Sequence, residues 1–215
     1  LSGYTKRYTD PDSIQAIGHF ARNTYMILAG LSMVLAGRGK TRREHSEQQI
    51  SRAKTVAIAA ILVTLSTYFV FTPRHYVRFG VLHFIATAIL LTHPLAQSGP
   101  IVQAGLALAG AYAYETGAHL PLARKLPHAL RHVVGVPDAN AADADYFPLD
   151  KNLPKVFTGM VLAHFMPATP VMAPETFTTL QWMGRNSLTL YGVHWFVLYG
   201  LHQLKMPMSA TSRRA

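Results

Sequence analysis

Ala53-Lys-Thr-Val-Ala-Ile-Ala-Ala-Ile-Leu-Val-Thr-Leu-Ser-Thr-Tyr-Phe-Val-Phe71 is the stretch on which the fold turns. Lys54 is its last charge, and everything after it is apolar or hydroxylated. A helix crossing the hydrocarbon core of a bilayer needs about 20 mostly apolar residues, and this segment fills that length. Five further apolar segments surround it, at Ile14–Gly37, Val77–Leu95, Pro100–Thr116, Leu153–Met172 and Gly184–Leu204. Charged or Pro-rich turns separate them. A transmembrane β-barrel would alternate with period two, and no such alternation is present. The expected fold class is therefore all-α, a polytopic transmembrane bundle of about six helices. Residues 1–13 form an N-terminal segment, 14–204 the bundle with a surface loop at 117–152, and 205–215 a C-terminal tail.

Composition agrees. The chain has 215 residues, enough for one ordinary domain. Half of it is hydrophobic, and 14% is charged, against about 25% in soluble domains. Without cysteine, disulfides and thiolate metal sites are excluded. The net charge of +10 admits nucleic acid, anionic lipid or an acidic substrate as partner. The basic residues Arg38, Lys40, Arg42, Arg43, Arg52 and Lys54 cluster in a linker between two apolar segments, which favours anionic headgroups. No nucleic-acid motif is present, and no nucleic-acid partner is expected. The positive-inside rule puts this linker on the cytoplasmic or matrix-equivalent side. The 117–152 loop is basic and His-rich first, then acidic, and is expected to pack on the membrane surface. The chain opens on Leu1, so a removed leader or a longer parent chain is expected. A lost presequence would fit an organelle-targeted protein.

Ionisable side chains inside spans are costly and mark functional candidates. Here they are His19, Arg22, His83, His164 and His194. Each histidine can serve as a general base or sit neutral, bonded across a helix interface. His19, Arg22 and Asn23 share one helical face, as an interfacial anchor or an anion pocket. Arg74 and Arg78 flank the start of the third segment and suit a lipid or nucleotide-like phosphate. Gly184-Arg185-Asn186-Ser187 opens the last segment, with Asn186 or Ser187 as its cap. In the fourth segment, Gly105 and Ala109 form a small-xxx-small pair that would let helices approach closely. Pro167 and Pro170 are expected to kink or end the fifth segment. No metal site is expected, because the His spacings are poor.

Three stretches carry a resemblance. They are Phe20-Ala-Arg22-Asn-Thr-Tyr-Met-Ile-Leu-Ala-Gly30-Leu-Ser32, Val77-Arg-Phe79-Gly80-Val-Leu82-His83-Phe-Ile-Ala, and Gly184-Arg185-Asn186-Ser187-Leu188-Thr-Leu-Tyr191-Gly-Val-His194. Asp145-Tyr146-Phe147-Pro148-Leu149 is a weaker fourth. In this order the chain resembles the polytopic membrane domain of heparan-α-glucosaminide N-acetyltransferases and their bacterial relatives, from about Phe20 to Leu204. The resemblance implies transfer of an acetyl group from acetyl-CoA, at or across a membrane, to an amine or hydroxyl. It maps His83 and His194 to family histidines and Arg185 and Asn186 to a Gly-Arg-x-Ser element. Two departures stand out. The family's first helix, with its Asp…Arg-Gly…His pattern, is not found, and Pro154-Lys155 stands where the family has Pro-Trp.

These departures lead the expected function toward a non-catalytic structural or accessory subunit of a larger membrane complex. Its partners would be other membrane subunits and anionic lipids, its home the mitochondrial inner membrane, and it would need no cofactor. The alternative is an active acyltransferase using acetyl-CoA, with His83 or His194 as base. Arg22, Arg74, Arg78, Arg185 and Asn186 would then hold phosphates, as they would lipid headgroups in the first case. A transporter or lipid-binding bundle is the third reading.

Overall fold

A computed structural model describes residues 11–70, 76–136, 145–167, 182, 186–190 and 192–193. Among these residues the fold is all-helical, with no strand. The helices are α1 (Pro11–Gly37), α2 (Arg42–Val70), α3 (Val81–Thr92), α4 (Pro100–Thr116), α5 (Leu120–Ala123), α6 (His128–Val134) and α7 (Leu149–Ala163). A 3₁₀ turn, His93–Leu95, extends α3. The chain divides into two compact units, Leu1–Met166 and Pro167–Ala215.

In the first unit α7 packs against both α1 and α4, and α3 packs against α2. Glycines set the closest approach. Gly30 of α1 faces the Val156 carbonyl of α7, and Gly159 of α7 faces the Ile27 carbonyl of α1. On the other flank of α7, the Pro154 ring sits over Gly110 of α4. Met26, Met33, Phe84, Val156 and Met160 fill the core between these contacts. The expected close pair Gly105 and Ala109 does not serve this purpose: Gly105 has open space where a side chain would stand, and Gly110 makes the contact. The two positions lie on different faces of α4, and only the Gly110 face meets α7.

The basic stretch expected as a linker is mostly helix, because α2 begins at Arg42. Thr41 and Glu44 explain the early start. The Thr41 N–H donates to Glu44 Oε2 (2.9 Å) and the Glu44 N–H to Thr41 Oγ1 (3.3 Å), a capping box. Arg43 and Glu47 add an exposed i,i+4 pair. The true turn is short, and Gly39 supplies its left-handed residue at φ 71°. Val77–Gly80 lies outside the third helix, since Gly80 is its extended N-cap (φ −89°, ψ −171°). The fifth apolar segment begins earlier than expected, at Leu149, and its helix ends at Ala163, ahead of Pro167. Arg38 secures that end by donating to the carbonyls of Ala163 (2.5 Å) and Met166 (3.0 Å). The 117–152 loop is not irregular throughout: it holds α5 and α6.

α2 is inside-out relative to a soluble helix. Its buried positions are His45, Gln49, Ala53, Ala60 and Thr67, all small or polar. Its large apolar side chains Ile58, Ile61, Leu62, Leu65 and Phe69 point outward, Phe69 at 82% exposure. Over Arg42–Phe69 it is the one described helix long and apolar enough to cross a membrane. α3, α4 and α7 have 12, 17 and 15 residues. At about 1.5 Å per residue each falls short of the roughly 30 Å hydrocarbon core. The sixth expected segment lies mostly outside the described residues.

Candidate functional site

Three of the four motifs meet where the segment Asp145–Pro148 crosses the start of α3. The Val81 N–H donates to Asp145 Oδ2 (3.0 Å), and the Phe147 N–H donates to the Phe79 carbonyl (3.1 Å). A side chain on Gly80 would run into the Asp145 carboxylate, so the crossing requires glycine there. Asp145 thus places a negative charge on the positive end of a helix that lacks a capping side chain of its own. Tyr146 ties the segment to α6, its hydroxyl donating to the His132 carbonyl at 2.7 Å. We expect Asp145→Ala to lower stability by about 1–2 kcal/mol. Asp145→Asn should recover part of that loss, as thermal unfolding in detergent micelles would read.

Phe147 carries the segment toward α1. The Arg22 guanidinium stands 5.5 Å from the Phe147 ring centre, a cation–π contact. The same guanidinium is 2.6 Å from His19 Nδ1, so the shared face expected of His19 and Arg22 is real. Arg22 Nε is buried, with no hydrogen-bond partner among the described residues. A half-buried guanidinium with an unsatisfied donor is a natural seat for an anion.

His83 is on the far side of the same segment, in the first turn of α3. Its Nδ1 accepts from the Gly80 N–H (3.3 Å). That bond leaves the proton on Nε2, which lies 3.0 Å from Thr64 Oγ1. The Thr64 hydroxyl in turn donates to the Val77 carbonyl at 2.9 Å. Both ring nitrogens are therefore engaged, Nδ1 at the N-cap of α3 and Nε2 with Thr64 of α2. Of the other candidates, Arg78 places its guanidinium 5.0 Å from the Tyr76 ring. His164 Nε2 is 3.0 Å from Gln103 Oε1, a bond between α7 and α4. Arg74, Arg185 and His194 lie outside the described residues. Asn186 belongs to the second unit, where its amide donates to the Trp182 carbonyl at 2.9 Å. Among the described residues no cluster of His, Asp and Glu is arranged to hold a metal.

Two features escaped the sequence reading. One is a pair joining the turn after α4 to α7. His119 Nδ1 donates to the Ala113 carbonyl (2.8 Å), and His119 Nε2 lies 3.1 Å from Asp150 Oδ2. The pair is largely buried, with side chains 19% and 9% exposed. Asp150 sits in the first turn of α7, ahead of the apolar run from Leu153. Burial raises its carboxyl above the usual carboxylate range, against the lowering effect of the Lys151 N–H and His119. The other is Lys155, half-buried on α7, donating to Asn152 Oδ1 at 3.1 Å. Its only signal in the sequence was its place after Pro154, where the family pattern has tryptophan.

Comparison with known proteins bears on the whole arrangement. No curated protein and no solved structure matches the chain. A family model described as heparan-alpha-glucosaminide N-acetyltransferase, catalytic, matches residues 2–196. That span takes in the Arg22, Gly80–His83 and Asp145–Leu149 elements gathered here, and the chain belongs to the heparan-alpha-glucosaminide N-acetyltransferase catalytic-domain family.

Proposed function

We propose that the chain is a membrane-embedded acyltransferase-type domain that binds acetyl-CoA through its phosphates. The family match over residues 2–196 carries this reading. The outward-facing apolar surface of α2 supports the bilayer setting, in which such side chains meet lipid instead of water. In this reading the shorter helices complete a polytopic bundle, their ends within the headgroup layer. Arg22 supplies the anion contact, with its unsatisfied Nε and its stacking on Phe147. In the reaction an acceptor amine or hydroxyl attacks the thioester carbonyl, a base takes the acceptor proton, and the CoA thiolate leaves. His83 holds the α2–α3 joint and so positions the site.

Calorimetry on the purified full chain in detergent tests this. Acetyl-CoA should bind in the micromolar range, and Arg22→Ala should weaken binding about tenfold or more, the loss of one charge-assisted contact. Wild-type protein that binds no acetyl-CoA would sink the proposal.

A second reading, an accessory subunit without catalysis, is favoured by the full engagement of both His83 nitrogens. Its proposed setting is an assembly in the mitochondrial inner membrane. Purification in fixed ratio with other membrane subunits, without acetyl-CoA binding, is the result that would select it.

A further inference from the structure

The α4–α7 interface holds a cleft that the reading above does not use. Its volume is about 340 Å³, within the range of ligand clefts. It exists because α4 presents small side chains there, Ala107 and Ala111, opposite Pro154 of α7. Leu108 forms an apolar rim and is 72% exposed. Lys151 and Lys155, one α-helical turn apart, belong to its lining. Lys155 is half-buried. Neither lysine forms an ion pair with a described carboxylate. Glu115, also in the lining, is exposed and makes no ion pair with a described residue.

An apolar trough lined on one side by two lysines is complementary to a molecule with a hydrocarbon chain and an anionic head. The trough opens on the same outer surface as Ile101, Leu108 and Tyr112, which are 86%, 72% and 69% exposed. In the bilayer reading, on which this inference rests, that surface faces lipid, so the occupant enters sideways from the membrane. We propose that the α4–α7 cleft is a binding site for an anionic phospholipid. One acyl chain lies along Ala107, Ala111 and Pro154, and the phosphate sits between Lys151 and Lys155. Basic pockets between membrane helices recognise anionic headgroups by this combination of charge and apolar wall.

The test uses the full chain in vesicles of phosphatidylcholine containing spin-labelled phosphatidylglycerol. Flotation first reports whether the protein is membrane-bound. Electron paramagnetic resonance then reads the immobilised lipid, with spin-labelled phosphatidylcholine as reference. Wild-type protein should prefer phosphatidylglycerol, and inorganic phosphate in the buffer should not displace it. Lys151→Gln with Lys155→Gln should reduce the preference about thirtyfold, the effect of two cations near a membrane surface. Ala111→Phe, which fills the trough, should expel both labelled lipids from the site while leaving the lysines in place. A protein that floats yet shows no preference, or whose preference survives both variants, overturns the site alone. Displacement by inorganic phosphate also overturns it, since the cleft would then take a free anion. A protein that does not float overturns the bilayer reading and the site together. Acetyl-CoA binding in the same vesicles should be unchanged by the lysine pair variant. Loss of that binding with unchanged lipid preference would reassign the lysines and overturn the lipid site.

Discussion

Gly30→Val or Gly159→Val should cost at least about 3 kcal/mol, the largest stability loss of any single change considered. At both positions the added Cβ would meet backbone, the Val156 carbonyl for Gly30 and the Ile27 carbonyl for Gly159. Backbone cannot rotate aside as a side-chain tip can, so α1 and α7 would have to separate. Separation opens the core around Met26, Met33 and Met160, all at most 1% exposed. Gly105→Val is the control. It points into open space and should stay near wild type, since valine in place of glycine in an exposed helix changes little. Thermal unfolding in detergent micelles checks all three, and a Gly159→Val protein as stable as wild type would refute the packing described.

His119→Ala comes second, with an expected loss of about 3 kcal/mol at neutral pH. The cause is what it leaves behind. Asp150, with a side chain 9% exposed, would stay in a buried place with its imidazole partner gone and only the Lys151 N–H left to bond it. The His119 Nδ1 proton is committed to the Ala113 carbonyl, so the Nε2 contact with Asp150 needs a proton of its own. Because burial raises the folded-state value of Asp150, its protonated form is the one that folding favours. Its contribution is full below the unfolded carboxylate value, about pH 4, and is lost as pH rises through the raised folded value. Asp150→Asn removes that dependence, since an amide does not titrate in this range. The stability of Asp150→Asn relative to wild type should therefore improve as pH rises from about 4 toward neutrality. Unfolding temperatures across that range decide it, and a constant difference between the two proteins would contradict the assignment.

Much of the fold was legible because apolar run length reports on helices directly. Pro100–Thr116 was read with its true bounds, and Ile14–Gly37 lies within α1. The errors fell where local bonds, not hydropathy, set the boundary. The Thr41–Glu44 capping box begins α2 inside a stretch that looked like a linker. The Asp145 carboxylate begins α3 at Val81, and it comes from a residue far along the chain. Candidate site residues were legible as types and partly as groups. His19 and Arg22 do meet, since i,i+3 spacing on a helix is a local fact. The contact of Arg22 with Phe147, and of His119 with Asp150, depends on chain segments that no periodicity relates.

Taken alone, the sequence determined the helical class, the family to which the chain belongs and the bilayer-length apolar run of α2, because composition, motif order and run length are one-dimensional properties. Tertiary structure decided which glycines bring helices together and which histidine is tied up in a joint. It also decided where two lysines border an apolar cleft. Ala53-Lys-Thr-Val and the residues after it show the difference: hydropathy marked them as bilayer-crossing, yet only packing revealed that Ala53, Ala60 and Thr67 turn inward while the large side chains turn out. Burial depends on which face a neighbouring helix covers, and that neighbour is chosen by contacts distant in the chain.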